Sequence, residues 1–250
     1  MERKKLHKLI DIHAHVLPGV DDGSRTVEES LTLVEQAVHA GVCAIVATPH
    51  YSRRRGAEGC AEAFEELRNA IRSASQIPEG FEIYLGQETF YHEELVDNLK
   101  SGKALTMAGS RYVLVEFDTS VSFQTLSRAM RRLLTSGYVP ILAHMERYAC
   151  LRDEKNLHSI CGSGCLMQMN YESLEGHWFS REARWCRKQV LEGNIHFLGT
   201  DMHRTDYRPP QIEKAMVWLE KAVTQKKLSS RLLKNMTCSN AEKMLRNEKI

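Results

Sequence analysis

The sequence predicts an α/β protein whose parallel strands close, or nearly close, into a barrel. Seven apolar, strand-like runs recur along the chain, segments with helical spacing lie between them, and nearly every run ends in a histidine or a carboxylate. Strand alternating with helix is the signature of βα units and a parallel sheet. Several runs are almost continuously apolar, Ala44-Ile45-Val46-Ala47 among them, as strands covered on both faces are. A doubly wound open sheet is the alternative. Polar residues gathered at the C-terminal strand ends favour the barrel, because barrel active sites converge there.

The runs are residues 8–16, 42–50, 81–88, 111–117, 139–146, 165–170 and 195–203. After the first, residues 26–40 make the clearest helix. Thr26 can cap it, Glu28 and Glu29 suit the positive end of its dipole, Leu31, Val34 and Val38 form a stripe, and Gly41 stops it. Residues 64–74, 123–134, 181–191 and 212–223 read similarly. The loop 52–59, with Arg53-Arg54-Arg55, is the most flexible-looking stretch; its charge could recruit acidic or phosphorylated tails, though a solvated loop is the simpler expectation. Residues 247–250 are expected to fray. With no repeat, low-complexity segment or linker, all 250 residues are expected to form a single domain.

Composition excludes several classes. At 42% hydrophobic and 26% charged the chain is ordinary for a globular protein. A net charge of +2 is too small to imply nucleic acid or a membrane surface. No apolar run approaches the ~20 residues of a membrane span, and no apolar stretch follows the basic start Met1-Glu2-Arg3-Lys4-Lys5 to make a signal peptide. The expectation is a cytoplasmic protein without membrane insertion. Seven scattered cysteines with no CxxC argue against a disulfide framework or zinc ribbon.

The strand ends carry the chemistry. Asp11-Ile12-His13-Ala14-His15 closes the first run, and alternation in a strand points His13 and His15 the same way. Asp21 and Asp22 follow in a loop. The second run ends in Thr48-Pro49-His50, the third in Gly86-Gln87-Glu88, the fourth in Val115-Glu116-Phe117, the fifth in Ala143-His144-Met145-Glu146-Arg147 and the seventh in Gly199-Thr200-Asp201-Met202-His203. Only the sixth ends in a neutral residue, Asn170. Alone, Glu88 or Glu116 reads as a solvated carboxylate, Thr48-Pro49-His50 as a turn, and Asp21 or Asp22 as a helix cap. Together they converge, and converging carboxylates need cations or must stay protonated. Five histidines and four carboxylates exceed what one four-coordinate ion uses and fit two or three divalent ions. A nitrogen and oxygen donor set without cysteine suits Mn, Fe, Zn, Mg or Co. The remaining histidines, including His39, His92, His158, His177 and His196, lack strand-end placement and read as surface or core residues.

The ordered set DIHAHVLPGVDDGS, ATPHY, GQE, VEF, AHMERY and GTDMH resembles the polymerase-and-histidinol-phosphatase (PHP) superfamily, and within it the bacterial manganese-dependent tyrosine-protein phosphatases of capsule and exopolysaccharide gene clusters. The resemblance implies a distorted seven-stranded (β/α)7 TIM-like barrel with the metal site at the C-terminal ends of the strands. Position by position, it makes His13, His15, Asp22, His50, Glu88, Glu116, His144, Asp201 and His203 the ligands; it also selects Asp22 over Asp21. It implies two or three divalent ions, manganese foremost, with a hydroxide bridging them that attacks phosphorus in line. Arg147 and Arg208 would lie near the substrate phosphate, which a guanidinium can clamp through two oxygens. His203 could double as general acid, although a tyrosine phenolate (pKa about 10) leaves readily without one. The implied partner is a phosphotyrosine-containing protein, the tail of a bacterial tyrosine kinase that regulates capsular or exopolysaccharide synthesis. A small-molecule phosphatase acting on histidinol phosphate is the alternative; an inactive metal-binding scaffold is the alternative of another class. No cysteine is followed, after five residues, by the arginine that a cysteine-dependent tyrosine phosphatase needs.

Overall fold

The computed structural model describes residues 8–51, 56–176 and 179–250, so the arginine run 53–55 and His177 lie outside the described residues. Its strands are β1 (Leu9–Ala14), β2 (Val42–Ala47), β3 (His50–Tyr51), β4 (Glu82–Leu85), β5 (Glu88–Phe90), β6 (Tyr112–Glu116), β7 (Val139–Leu142), β8 (Leu166–Asn170) and β9 (Phe197–Gly199). All pair in parallel, in the orders β1-β2-β4 and β3-β5-β6-β7-β8-β9. Strand order follows chain order, without the reversal a doubly wound sheet requires.

Two of the sequence runs are broken, for local reasons. Pro49, between β2 and β3, has no N–H to give the ladder. Gly86, between β4 and β5, is closely hemmed in: a Cβ there would lie 3.0 Å from both Met107 Sδ and Val46 Cγ1 and would push these side chains aside. Pairing continues across the breaks, with Gly86 N–H donating to Ala47 O (2.8 Å) and Glu88 N–H to Pro49 O (3.1 Å). The sheet then curls until its ends meet. Asp201 N–H donates to His13 O (2.7 Å) and His15 N–H to Met202 O (2.8 Å), joining the end of β1 to the residues after β9.

Helices cover the outside. They include α1 (Val27–His39), α2 (Cys60–Ser73), α3 (Leu95–Lys100), α4 (Phe123–Thr135), α5 (Glu154–Cys161), α6 (Arg181–Leu191) and α7 (Glu213–Thr224). Thr26 caps α1 by accepting from Glu29 N–H, as its place in the sequence suggested. Ser122 and Ser180 cap α4 and α6 in the same way. The second helix begins at Cys60 rather than residue 64, because Cys60 and Ala63 share the buried face of Leu67 and Ile71.

The chain ends with α8 (Ser230–Lys234), a π-helical turn at Asn235–Ser239, and α9 (Asn240–Leu245). Cys238, Ala241 and Met244 pack with Ile10, Ile12, Val46, Leu114, Ile141 and Phe197 of the strands. The tail beyond α9 does not fray as expected. Asn247 Oδ1 accepts from Arg111 N–H, Glu248 O accepts from the Tyr112 hydroxyl, and Ile250 packs on the same cluster. It occupies donors that the N-terminal ends of the strands would otherwise leave unpaired. The opposite, C-terminal ends of the strands stay clear of this segment and carry the site.

Candidate metal centre

The first strand delivers His13 from its length and His15 one residue past its end; both imidazoles are fully buried, with ring centres 5.4 Å apart. The loop after it folds back over His15. Ser24 N–H donates to His15 O, Gly19 N–H to Ser24 O, and Gly23 N–H to Asp21 Oδ1. Gly23 is obligatory in this turn: a Cβ would sit 2.2 Å from His15 O. The turn sends Asp21 inward and leaves Asp22 exposed at the mouth.

Neighbouring acceptors set the histidine tautomers. His13 Nδ1 lies 3.0 Å from Gln168 Oε1, whose identity as oxygen is fixed because it also accepts from His144 N–H (2.6 Å). His15 Nδ1 lies 2.8 Å from Asp21 Oδ2, and His203 Nδ1 lies 2.9 Å from Asp201 O. In each ring the proton belongs on Nδ1, so Nε2 faces the centre with its lone pair, as metal-binding imidazoles are oriented.

Glu88 is the hub. Its Oε2 lies 3.2 Å from His13 Nε2, 3.3 Å from His15 Nε2 and 3.1 Å from His50 Nδ1, and its Oε1 lies 2.9 Å from His144 Nε2. Glu116 faces His50 Nδ1 at 3.2 Å and His144 Nε2 at 3.6 Å. Asp201 Oδ1 lies 3.5 Å from both His13 Nε2 and His15 Nε2. Asp22 reaches His50 Nε2 at 3.6 Å and His203 Nε2 at 3.8 Å. Donor atoms within 4.8 Å of one another form three overlapping groups: His15, Asp22, His50 and His203; His13, His15, Glu88 and Asp201; His50, Glu88 and Glu116. Ions held by such ligands at about 2 Å demand this spacing. His144 adjoins the last group through Glu88 and Glu116.

The electrostatics call for cations. Burial opposes the Glu88 carboxylate, yet the His13, His144 and His15 imidazoles hold its pKa well below the usual range. Burial opposes Asp201 too, and His13 with His15 and Arg147 outweighs it. In return, burial opposes the charged form of His144, but Glu116 and Glu88 push its pKa up to about 9; Asp21 and Glu88 likewise raise His15. His203 goes the other way, pushed down to about 4 by burial and by His15. Histidine protons thus offset the buried carboxylates, and divalent ions would displace them. Glu88 Oε2 and His144 Nδ1 are buried without a hydrogen-bond partner, so the centre is incomplete on hydrogen bonding alone. The residues present fit a cluster of divalent ions.

Both arginines reach the centre. Arg147 Nη2 donates to Asp201 Oδ2 at 2.7 Å and Arg208 Nη1 to the same oxygen at 3.1 Å. The carboxylates nearest them in sequence are engaged elsewhere: Glu146 accepts from Asn170 N–H and Ser173 Oγ, and Asp206 pairs with Arg25 and Arg204. His144, Asp201 and Arg208 all adopt positive φ, at 31°, 53° and 59°. Such backbone is costly for residues other than glycine and gathers at functional sites.

Three positioning residues escape the strand-end reading. Gln168 orients His13 and anchors His144 N–H, Asn170 donates to Asp201 Oδ2 (2.9 Å), and Asp21 orients His15 while accepting from His50 N–H (2.8 Å). The sixth strand end therefore contributes although its residue is neutral. Gln168 and Asn170 share a strand face, a signal present in the sequence; nothing local marks Asp21 as an orienting group rather than a cap.

A family model described as capsular polysaccharide synthesis, CpsB/CapC, matches residues 9–246. Tyrosine-protein phosphatase CpsB of Streptococcus agalactiae serotype V is 34% identical, over 83% of this chain and 88% of its own length. Tyrosine-protein phosphatase CpsB of Streptococcus pneumoniae is 30% identical, over 97% of this chain and 100% of its own. Among solved structures, a chain from work on YwqE of Bacillus subtilis and CpsB of Streptococcus pneumoniae, described as unique metal-dependent tyrosine phosphatases, superposes with a TM-score of 0.84 at 27% identity, covering 97% of this chain and 96% of that one.

Proposed function

The chain belongs to the CpsB/CapC family of capsular polysaccharide synthesis, and we propose that it is a metal-dependent protein-tyrosine phosphatase. One observation carries this reading. Nine nitrogen and oxygen donors from widely separated strand ends meet in one centre, in a chain that matches named tyrosine phosphatases along most of its length. The frame is read as one domain and as a distorted (β/α)7 barrel, supported by the hydrogen bonds that join β1 to the residues after β9.

His13, His15, Asp22, His50, Glu88, Glu116, His144, Asp201 and His203 hold two or three divalent ions in this proposal, with manganese preferred. Those ions would lower the pKa of a water and neutralise charge on the phosphate's non-bridging oxygens. The protein's own residues do the rest. Asp21 and Gln168 keep the Nε2 atoms of His15 and His13 aimed inward. Arg147 and Arg208, already directed at Asp201 Oδ2, keep further N–H groups with which to orient a phosphoryl group. His203 Nε2, left with its lone pair because Nδ1 faces Asp201 O and burial holds the ring neutral, serves as a ligand; it could act as general acid only after Nε2 takes up a proton, and a phenolate leaves readily without one. Cysteine chemistry is not needed, and burial disfavours it by pushing the thiols of Cys60, Cys161 and Cys238 up to about 11. The substrate is read as phosphotyrosine on a bacterial tyrosine kinase, and the compartment as the cytoplasm. No helix among the described residues is long and apolar enough to cross a membrane.

The test is a substrate panel with metal analysis. Manganese-loaded protein should hydrolyse phosphotyrosine peptides and aryl phosphates well above phosphoserine peptides and histidinol phosphate. His144→Ala should cost at least roughly a hundredfold in kcat, the scale of losing a metal ligand or its support. Metal-replete protein inert toward aryl phosphates would leave the inactive scaffold as the reading. Efficient cleavage of histidinol phosphate alone would move the assignment to a small-molecule phosphatase.

A further inference from the structure

Beside the metal centre lies a cavity of about 610 Å³ that the proposed chemistry does not use. Arg147 forms part of its wall, so cavity and centre share a side chain. The rest of the wall is acidic, with Glu146, Glu172, Glu175 and Glu182, against Arg152 as the other cation. Arg152 is already committed: it donates to Glu146 O at 2.7 Å and lies 3.9 Å over the Trp185 ring. Glu175 is paired with Lys214. Among the described residues Glu146, Glu172 and Glu182 have no basic side chain within ion-pair distance. Glu146 is the telling group. It is only 7% exposed, its Oε1 is used by Asn170 N–H and Ser173 Oγ, and its buried Oε2 has no hydrogen-bond partner. An unpaired buried carboxylate oxygen is costly, and a turn of the Glu146 carboxylate toward a donor in the cavity that it lines would relieve it.

The donor is not a metal. Among the described residues the groups that converge to ligand distance all lie in the centre already described, and none includes these glutamates. The cavity opens to solvent past exposed Thr119 and Glu182, so a long side chain can enter from outside. We propose that this cavity binds a lysine or arginine side chain flanking the phosphotyrosine of the protein substrate. Arg147 lines the cavity and also reaches Asp201 in the centre, and a peptide strand advances about 3.3 Å per residue, so a side chain close to the phosphotyrosine is the one this cavity would receive. The basic head meets Glu146 and Glu172 while its apolar stem lies along the wall. This inference rests on the phosphatase reading and names its sequence preference.

The experiment uses manganese-loaded protein and matched phosphotyrosine peptides with lysine, norleucine or glutamate at each of the two positions on either side. Para-nitrophenyl phosphate and histidinol phosphate are run alongside. Lysine should exceed norleucine in kcat/KM by roughly tenfold at one position, with glutamate below both, the scale of one well-placed charge pair. Glu172→Gln should reduce the lysine-to-norleucine ratio several-fold, and Glu182→Gln provides a second, exposed variant should the first fold poorly. A ratio near one at every position, with all peptides cleaved, overturns this inference and spares the phosphatase reading. Failure to cleave any phosphotyrosine peptide overturns both. Histidinol phosphate turned over faster than every peptide would assign the cavity to a small amine and overturn both as well.

Discussion

Asp21 shows how much of this site depends on residues outside the candidate ligand set. Its two carboxylate oxygens accept from the His15 ring, His50 N–H and Gly23 N–H. Burial opposes its charge, but these donors hold its carboxyl below the ordinary range, so it remains an anion throughout the working pH range. It fixes a ring tautomer, a backbone segment and a tight turn at once. Asp21→Ala should leave the fold intact and weaken metal binding about 10- to 100-fold by titration calorimetry, the usual cost of losing an orienting partner. Unchanged affinity would mean that packing alone orients His15. Gln168 plays the corresponding part for His13 and His144 from the far side of the centre. The candidate ligands are legible in the sequence, because all but Asp22 lie at the end of an apolar run that announces a buried strand. The roles of Asp21 and Gln168 are not: the sequence shows that Gln168 shares a strand face with Asn170, but that these two orient His15 and His13 depends on partners the fold brings to them.

At the level of elements, β9 ties the site to the opposite end of the sheet. It begins beside His196, whose N–H donates to Met167 O and whose Nδ1 accepts from Met167 N–H; Asn240 of the C-terminal segment donates to His196 O. Burial pushes the imidazole pKa down from 6.5 to about 4. The neutral ring is therefore the folded form. Its contribution is fully present above pH 6.5 and is lost as pH falls toward 4, because the unfolded chain takes up a proton that the folded protein refuses. His196→Gln cannot titrate. Between pH 7 and pH 5 the wild-type protein should lose about 2 kcal/mol more stability than this variant in denaturant titrations. Parallel losses would show that His196 is protonated freely in the folded state. Sequence periodicity reads the long helices well, since each has an apolar stripe, and Thr26, Ser122 and Ser180 cap three of them. It misses α3 and α5, of six and eight residues, which are too short to show a period and are held by packing. It also misses the breaks at Pro49 and Gly86, where the sheet bends.

For the whole molecule, the centre is where the sheet closes. Residues from β1, β3, β5, β6 and the turns after β7 and β9 contribute donors, so ions would clamp elements from across the chain. Removing metal with a chelator should lower the melting temperature, and manganese should restore it. An ion present at 100 times its Kd contributes about 2.7 kcal/mol, which corresponds to roughly 5–10 °C for a chain of this size. An unchanged melting temperature after verified metal removal would show that hydrogen bonding, helices and core hold the centre together without ions. Binding should also release protons, because ions displace them from His15 and His144.

The sequence by itself determined the alternation of strand and helix, the placement of ligand-type residues at the strand ends, and the exclusion of a cysteine nucleophile. These are local properties: an apolar run, a capping serine, or a histidine after a strand can each be read without knowing what lies across the sheet. Only the tertiary structure decided which side chains orient the ligands, that both arginines point at Asp201, that the C-terminal tail seals the far end, and that an acidic cavity borders Arg147. Those depend on which distant segments the curl of the sheet brings within hydrogen-bond reach, and residue spacing along the chain carries no record of that distance.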